Sequence, residues 1–185
     1  MREIALHLLD IVQNSVTAGA AHVDIRFDLA EDGMLAMSVR DDGRGMSPEL
    51  LERVRNPFVT TRTTRKVGLG IPLLQQNVML SGGDVTLEST VGVGTTVTAR
   101  FNTASIDCLP VGDLAETMAT TIMGSPDAPE FSLTCTSPAG EMSFSTEEIR
   151  AVLGPDVSLA EPEVVQWMRQ SLSEEIEPIL GGIMR

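Results

Sequence analysis

The chain has 185 residues, 26 acidic against 13 basic, for a net charge of −13, a length that suits one domain or one domain with a small appendage. An acidic surface repels phosphate backbones, and five Phe, one Trp and no Tyr leave little for bases to stack on, which argues against nucleic-acid binding. No apolar run approaches the roughly 18 residues of a membrane span, while 42% apolar composition is enough to build a Leu, Ile, Val and Met core.

The charge is unevenly spread. Residues 1–104 carry 10 basic and 12 acidic side chains, a net −2, and residues 105–185 carry 3 and 14, a net −11. That step divides the chain into residues 1–104 and an acidic appendage, residues 105–185. Met1-Arg2-Glu3-Ile4 leads directly into a helical pattern holding Asp10, unlike a signal peptide, so a soluble cytoplasmic protein is expected. Over residues 2–18, at about 100° per residue, Ile4, Leu8, Val12, Ser15 and Val16 share one arc, with Leu9 and Ile11 at its edges. Val23–Leu29 alternates strictly and predicts a strand. Glu31-Asp32-Gly33 is a turn and Met34–Arg40 a second strand, which makes an antiparallel hairpin. Ser47-Pro48 supplies an N-cap and first position for a short helix. Residues 70–81 predict another helix, closed by Ser81-Gly82-Gly83. Val85–Glu88 and Thr95–Phe101 predict a second hairpin across Gly92-Val93-Gly94.

Beyond Asn102 the pattern predicts a helix over 111–123 and a hairpin of Phe131–Thr136 with Glu141–Ser145. Ser145-Thr146-Glu147-Glu148 begins a further helix, and Pro162 opens a last one reaching Glu177. Cys108 and Cys135 stand 27 apart with no Cys-x-x-Cys, so neither a disulfide framework nor a zinc site is indicated. The expected fold is an α/β (α+β) two-layer sandwich: a mixed, mainly antiparallel sheet with helices on one face, plus a small α+β C-terminal appendage. The second face would be open, or covered by that appendage.

Four stretches carry chemistry. In the first helix His7, Asp10 and Asn14 fall within an arc of about 60°, beside the apolar stripe rather than opposite it, where side chains border core and cleft alike. Judged alone, that is also how an ordinary solvated face looks. Arg40-Asp41-Asp42-Gly43-Arg44-Gly45-Met46 follows a strand directly. Its glycines permit close backbone approach to a ligand, and a carboxylate at a strand end accepts from a donor such as an adenine amino group; alone, Asp-Asp-Gly is equally a turn. Arg53 to Lys66 holds five basic residues and no acidic one, interleaved with Thr60, Thr61, Thr63 and Thr64, and suits either a polyphosphate-facing lid or a solvated loop. Gly68-Leu69-Gly70-Ile71-Pro72 enters a helix whose first N–H groups can cradle an anion, though Gly-Lys-Ser/Thr is absent and this is not a Walker-type loop.

In this order the four stretches resemble the GHKL superfamily, which comprises the ATP-binding domains of DNA gyrase, heat-shock chaperones, histidine kinases and MutL. Asp10-Ile11-Val12-Gln13-Asn14-Ser15, followed by Ala18-Gly19-Ala20, is similar to the N-box, especially its MutL form. Asp41-Asp42-Gly43-Arg44-Gly45-Met46 resembles the first glycine box, and Asn56-Pro57-Phe58-Val59-Thr60-Thr61-Arg62 the F-box of histidine kinases. Gly68-Leu69-Gly70 is similar to the second glycine box and Gly92-Val93-Gly94-Thr95-Thr96 to the closing one. The resemblance covers residues 1–102. It implies ATP and Mg²⁺ as ligands, with Asn14 on the metal and Asp41 on the adenine amino group, helped by Thr95. It further implies that Gly43, Gly45 and Met46 wall the base pocket, that Phe58, Thr60, Thr61 and Arg62 belong to a lid, and that Gly68, Leu69 and Gly70 bind phosphates. Asp10 stands where many relatives place a Glu general base, four residues before the metal ligand and on the same helical face.

Three departures bear on function. Asp10 is one methylene shorter than Glu; Lys66-Val67 stand where histidine kinases usually have Gly-Thr/Ser; and the chain's one lysine lies in the lid stretch. The gyrase and MutL branch brings a catalytic lysine from a following transducer domain. The kinase-like boxes therefore imply a stand-alone signalling module of kinase type. Its phosphoacceptor would lie on a protein partner, because neither His7 nor His22 has a phosphoacceptor context. An ATP hydrolase acting as a conformational switch, or a non-catalytic ATP sensor, is the alternative.

Overall fold

The apolar stripe of the first helix needs a surface to bury against, and the alternating strands provide it. A computed structural model describes residues 2–55 and 70–184. Helix α1 (Ile4–Thr17) buries Ile4, Ala5, His7, Leu8, Ile11, Val12 and Ser15; of the arc expected from the sequence only Val16 is left half-buried, and His7, placed beside the stripe, is buried with it. Its N-cap, Glu3, makes no side-chain cap bond; the first helical N–H groups, of Ile4 and Ala5, donate instead to the carbonyls of Pro110 (3.0 Å) and Val111 (2.8 Å). Orphan donors at a helix start require partners, and here distant backbone supplies two of them.

Strands β1 (His22–Leu29) and β2 (Met34–Asp41) form the expected hairpin, with Asp28 opposite Ala36 and Val23 opposite Asp41. Helix α2 (Pro48–Arg55) follows, its start capped by Ser47 Oγ accepting from Leu50 N–H at 3.3 Å. Then come α3 (Gly70–Leu80), β3 (Asp84–Thr90), β4 (Gly94–Asn102), α4 (Leu114–Gly124), β5 (Glu130–Ser137), β6 (Gly140–Ser145), α5 (Thr146–Leu153) and α6 (Pro162–Leu180). Asp113 caps α4 by accepting from Glu116 N–H at 2.8 Å.

The strands make one six-stranded sheet in the order β3-β4-β2-β1-β5-β6, antiparallel throughout except for the parallel β1–β5 pair. Period-two alternation puts Val23, Ile25 and Phe27 of β1, Leu35, Met37 and Val39 of β2, Val97, Ala99 and Phe101 of β4, and Phe131, Leu133 and Cys135 of β5 on one face, all buried. Helices α1, α3 and α6 pack on that face, and α4 packs against α1 and α6. The other face carries Asp24, Arg26, Asp28, Arg40 and Arg100, all exposed, with Ser132 Oγ donating to Asp24 at 2.6 Å. Helices on one face of a mixed, mainly antiparallel sheet are what the alternation predicts.

The charge step near residue 104 does not coincide with a break in the core. Strands β5 and β6 extend the sheet at β1, and one hydrophobic cluster runs from Ile4 to Leu180. The acidic stretch leaves the second sheet face open and builds instead on the face that the first helix already covers. Among the described residues no helix is long and apolar enough to cross a membrane.

Candidate nucleotide site

Asp41 is the last residue of β2 and points to the helix-covered side, where it is 8% exposed. A buried carboxylate is costly unless donors meet it. Ser15, in the inward stripe of α1, donates from Oγ to Asp41 Oδ2 at 2.7 Å, and Gly43 N–H donates to Oδ1 at 2.9 Å. An ionised carboxylate accepts about four hydrogen bonds, so capacity for a ligand's donor remains. Thr95 lies directly across the β2–β4 ladder from Asp41.

Backbone packing around this point is close. Gly45 has φ +66°, and a Cβ built there would stand 2.0 Å from the Thr90 carbonyl oxygen; at Gly94 (φ +132°) it would stand 1.9 Å from that of Asp41. No side chain fits at either place, so the loop after β2 can lie against the β3–β4 turn, where Gly92 N–H donates to Arg44 O at 2.9 Å. The same loop is fastened by Met46 N–H donating to Ser89 Oγ at 2.8 Å.

Between these parts lies a cavity of about 590 Å³, within the range of small-ligand sites. Ile11, Met46, Leu87, Ile71 and Val97 give it apolar lining; Asn14, Ser15, Asp41, Thr95, Arg44 and Arg53 give it polar and cationic groups. That combination, an apolar slot with an acceptor at one place and cations at others, fits a flat heterocycle joined to an anion.

Along α1 the three polar residues have different fates. Asn14 lines the cavity. Asp10 is exposed and does not line it; its carboxylate lies against the first residue of α3, so that a Cβ at Gly70 would stand 3.1 Å from Asp10 Oδ2. A carboxylate at a helix N-terminus is favourably placed by the helix dipole. His7 is buried between α1 and α3, its Nε2 2.8 Å from Asn77 Nδ2, and burial holds its pKa below the usual value. Beside the base of the loop, Asp42 accepts from Ala21 and His22 N–H (2.7 and 2.9 Å) and pairs with His22 Nδ1 at 2.8 Å. Those bonds bring the Asp42 carboxyl down to about 2, while the side-chain bond to Asp42 raises His22.

Of the residues singled out from sequence, Asn14, Asp41, Gly45, Met46 and Thr95 meet at the cavity, and Gly43 serves it through its bond to Asp41. Gly70 opens α3, whose next residue, Ile71, lines the cavity. Phe58, Thr60, Thr61, Arg62, Gly68 and Leu69 lie outside the described residues. The sequence assigns no role to Ser15 as a partner of Asp41, to Ser89 as the anchor of Met46, or to Arg44 as a cavity residue, whereas Arg53, from the basic stretch, does line the cavity. The inward arc of α1 contained a signal for Ser15, a polar residue among apolar ones. Ser89 gave none, since serine in a half-buried strand is unremarked.

A family model described as histidine kinase-, DNA gyrase B-, and HSP90-like ATPase matches residues 2–105. The protein belongs to that family, and it carries the ATP-binding module that histidine kinases contain. Histidine protein kinase DivJ of Caulobacter vibrioides is 40% identical over 74 residues, 38% of this chain and 12% of that protein. The signal transduction histidine-protein kinase AtoS of Escherichia coli is 34% identical over 93 residues, covering 49% and 15%. Sensor histidine kinase WalK of Bacillus subtilis is 33% identical over 97 residues, covering 48% and 16%. The chain thus matches under a fifth of the length of these kinases. In fold it is similar to the N-terminal domain of a DNA repair protein, with a TM-score of 0.51 and 16% identity over 79% of this chain and 53% of that one.

Proposed function

We propose that the chain is a Mg²⁺–ATP-binding, histidine kinase-like signalling module, with phosphoryl transfer to a side chain on a protein partner. The observation that carries the nucleotide part is Asp41, a buried carboxylate at a cavity with both oxygens oriented by Ser15 and Gly43. An exocyclic amino group satisfies it, whereas a ring carbonyl would set acceptor against acceptor. In this reading Thr95 helps to hold the base, with Gly43, Gly45 and Met46 around it. Asn14 offers Mg²⁺ one side-chain oxygen, and phosphate and water supply the rest, as is usual for this cation. By the family resemblance Gly68, Leu69 and Gly70, the last of which opens α3, take the phosphates, and Phe58, Thr60, Thr61 and Arg62 belong to the lid. Bound ATP would supply the transferable phosphoryl group, and Asp10, one turn before Asn14, would take the proton of the attacking group.

Identity to three histidine kinases supports the kinase branch. Neither described histidine is offered as the acceptor: His7 is buried in the core, and His22 is committed to Asp42. One observation favours a second reading, a non-catalytic ATP sensor: Asp10 packs against Gly70 and does not line the cavity.

Nucleotide-dependent melting tests the site. Mg²⁺–ATP at about 100 times its Kd adds about 2.7 kcal/mol of stability. Asp41→Asn should weaken binding by about ten- to a hundredfold, the value of a hydrogen bond to a charged group. No shift with folded wild-type protein overturns the assignment. Labelled ATP then separates the outcomes: label on an added partner supports the kinase, label released as phosphate a hydrolase, and binding with neither supports the sensor.

A further inference from the structure

Ser89, Thr95 and Asp41 form a row across three strands. Ser89 is opposite Thr95 in the β3–β4 ladder, and Thr95 is opposite Asp41 in the β2–β4 ladder. Asp41 and Thr95 line the cavity, and Ser89 does not. The Ser89 hydroxyl accepts from Met46 N–H at 2.8 Å and has two further neighbours, Thr95 Oγ1 at 2.9 Å and the Gly94 carbonyl at 3.0 Å.

A hydroxyl has one proton and two lone pairs. Met46 N–H can only donate, so it fixes the sense of the chain at its origin. Two arrangements follow. With the Ser89 proton on the Gly94 carbonyl, the Thr95 contact is satisfied only by Thr95 donating to Ser89, and Thr95 then shows the cavity lone pairs alone. With the Ser89 proton on Thr95 Oγ1, the Thr95 proton is released toward the cavity. The chain then runs Met46 N–H, Ser89 O–H, Thr95 O–H, and each link strengthens the next. Beside it stands Asp41, an acceptor. Only the second arrangement presents an acceptor next to a donor, which matches the edge of an aminopurine: an amino group beside a ring nitrogen with a free lone pair.

We propose that Ser89 is a positioning residue for base recognition: acting through Thr95, it turns that hydroxyl into a donor toward the ring nitrogen adjacent to the amino group, directly or through one water. This rests on the ATP-binding reading above. The Gly94 carbonyl is the resting acceptor of the Ser89 proton when nothing in the cavity calls for the Thr95 proton.

The test compares ATP with its 1-deaza analogue, in which that ring nitrogen is a C–H, by calorimetry on the full chain in Mg²⁺. Wild-type protein should bind the analogue about five- to tenfold more weakly than ATP, the size of one neutral hydrogen bond. In Ser89→Ala that ratio should fall, because Thr95 keeps its proton but loses the donor that turns it toward the cavity, so ATP binding weakens more than analogue binding. Ser89→Thr, which keeps the hydroxyl, should restore the ratio. A merely structural role would weaken both ligands alike and leave the ratio at the wild-type value; that result overturns the assignment. Should Ser89→Ala not fold, Ser89→Cys, a weak donor of similar size, carries the same comparison. If wild-type protein binds neither ligand, the ATP-binding reading itself fails, a result separate from an unchanged ratio.

Discussion

The chain has two histidines, and their surroundings drive them in opposite directions. Burial disfavours the charged form of His7 and lowers its pKa, against the opposing pull of Asp10. His22 is 63% exposed in its side chain and is raised, chiefly by its bond to Asp42. The raised His22 adds stability that is complete below the unfolded value of 6.5 and vanishes as pH rises through the folded value. The lowered His7 acts the other way, because below 6.5 the unfolded chain takes up a proton that the native core resists. Asp42, down at about 2, contributes stability above its ordinary value of 3.8 that disappears as pH falls toward 2. With only two imidazoles, proton NMR should resolve one ring titrating above 6.5 and one below it. Asp42→Asn should return the upper titration to near 6.5 and leave the lower one in place. Two coincident titrations would contradict the burial of His7 and the pairing of His22 together.

Among the elements, the junction of β5 with the start of α5 is fastened by one buried hydroxyl. Thr146, the first residue of α5, is fully buried; its Oγ1 accepts from Phe131 N–H at 2.8 Å and donates to the Glu130 carboxylate, which also accepts from Arg150 Nε at 2.8 Å. Thr146→Val keeps the shape but strands the Phe131 N–H and leaves Glu130 one donor short. Unfolding in urea should show a loss of about 1–3 kcal/mol, the cost of an unsatisfied buried donor, and Thr146→Ser should recover most of it. The strands and helices here were legible because their signals are local: alternation in 23–29, the Ser47-Pro48 start, the Pro162 start. Pairing between distant strands was not. Nothing in Phe131–Thr136 says that it will lie parallel to β1, since which strand edge it joins is decided by residues more than a hundred positions away. The same holds at the site. Asp41 and Asn14 announce themselves through glycine boxes and helical spacing, whereas Ser89 acquires its role only when β3 comes to lie beside β4.

For the whole molecule, the sequence boundary and the folding boundary differ. The family match ends at residue 105, and the charge changes there too, yet the likeness to the DNA repair protein covers 79% of the chain and so reaches into the acidic stretch. Residues beyond 105 close α1 through Pro110 and Val111, cover the flank of β1 with β5, and bury Leu114, Met118, Ile122, Phe131, Leu133, Met168, Leu172 and Ile176 in the common core. A fragment of residues 1–104 would leave open to water the apolar surfaces of α1 and β1 that these side chains cover. It would also expose β1 as an unpaired edge whose Val23, Ile25 and Phe27 had lost part of their cover. The fragment should therefore show no cooperative thermal transition and should bind a hydrophobic dye, while the full chain melts once. A fragment with its own sharp transition would mean that the shared sheet is a docking of two units rather than one core. The excess negative charge is then best seen as the solvated outside of a structural half, since its apolar residues complete the core that holds Asp41 and Asn14 in place.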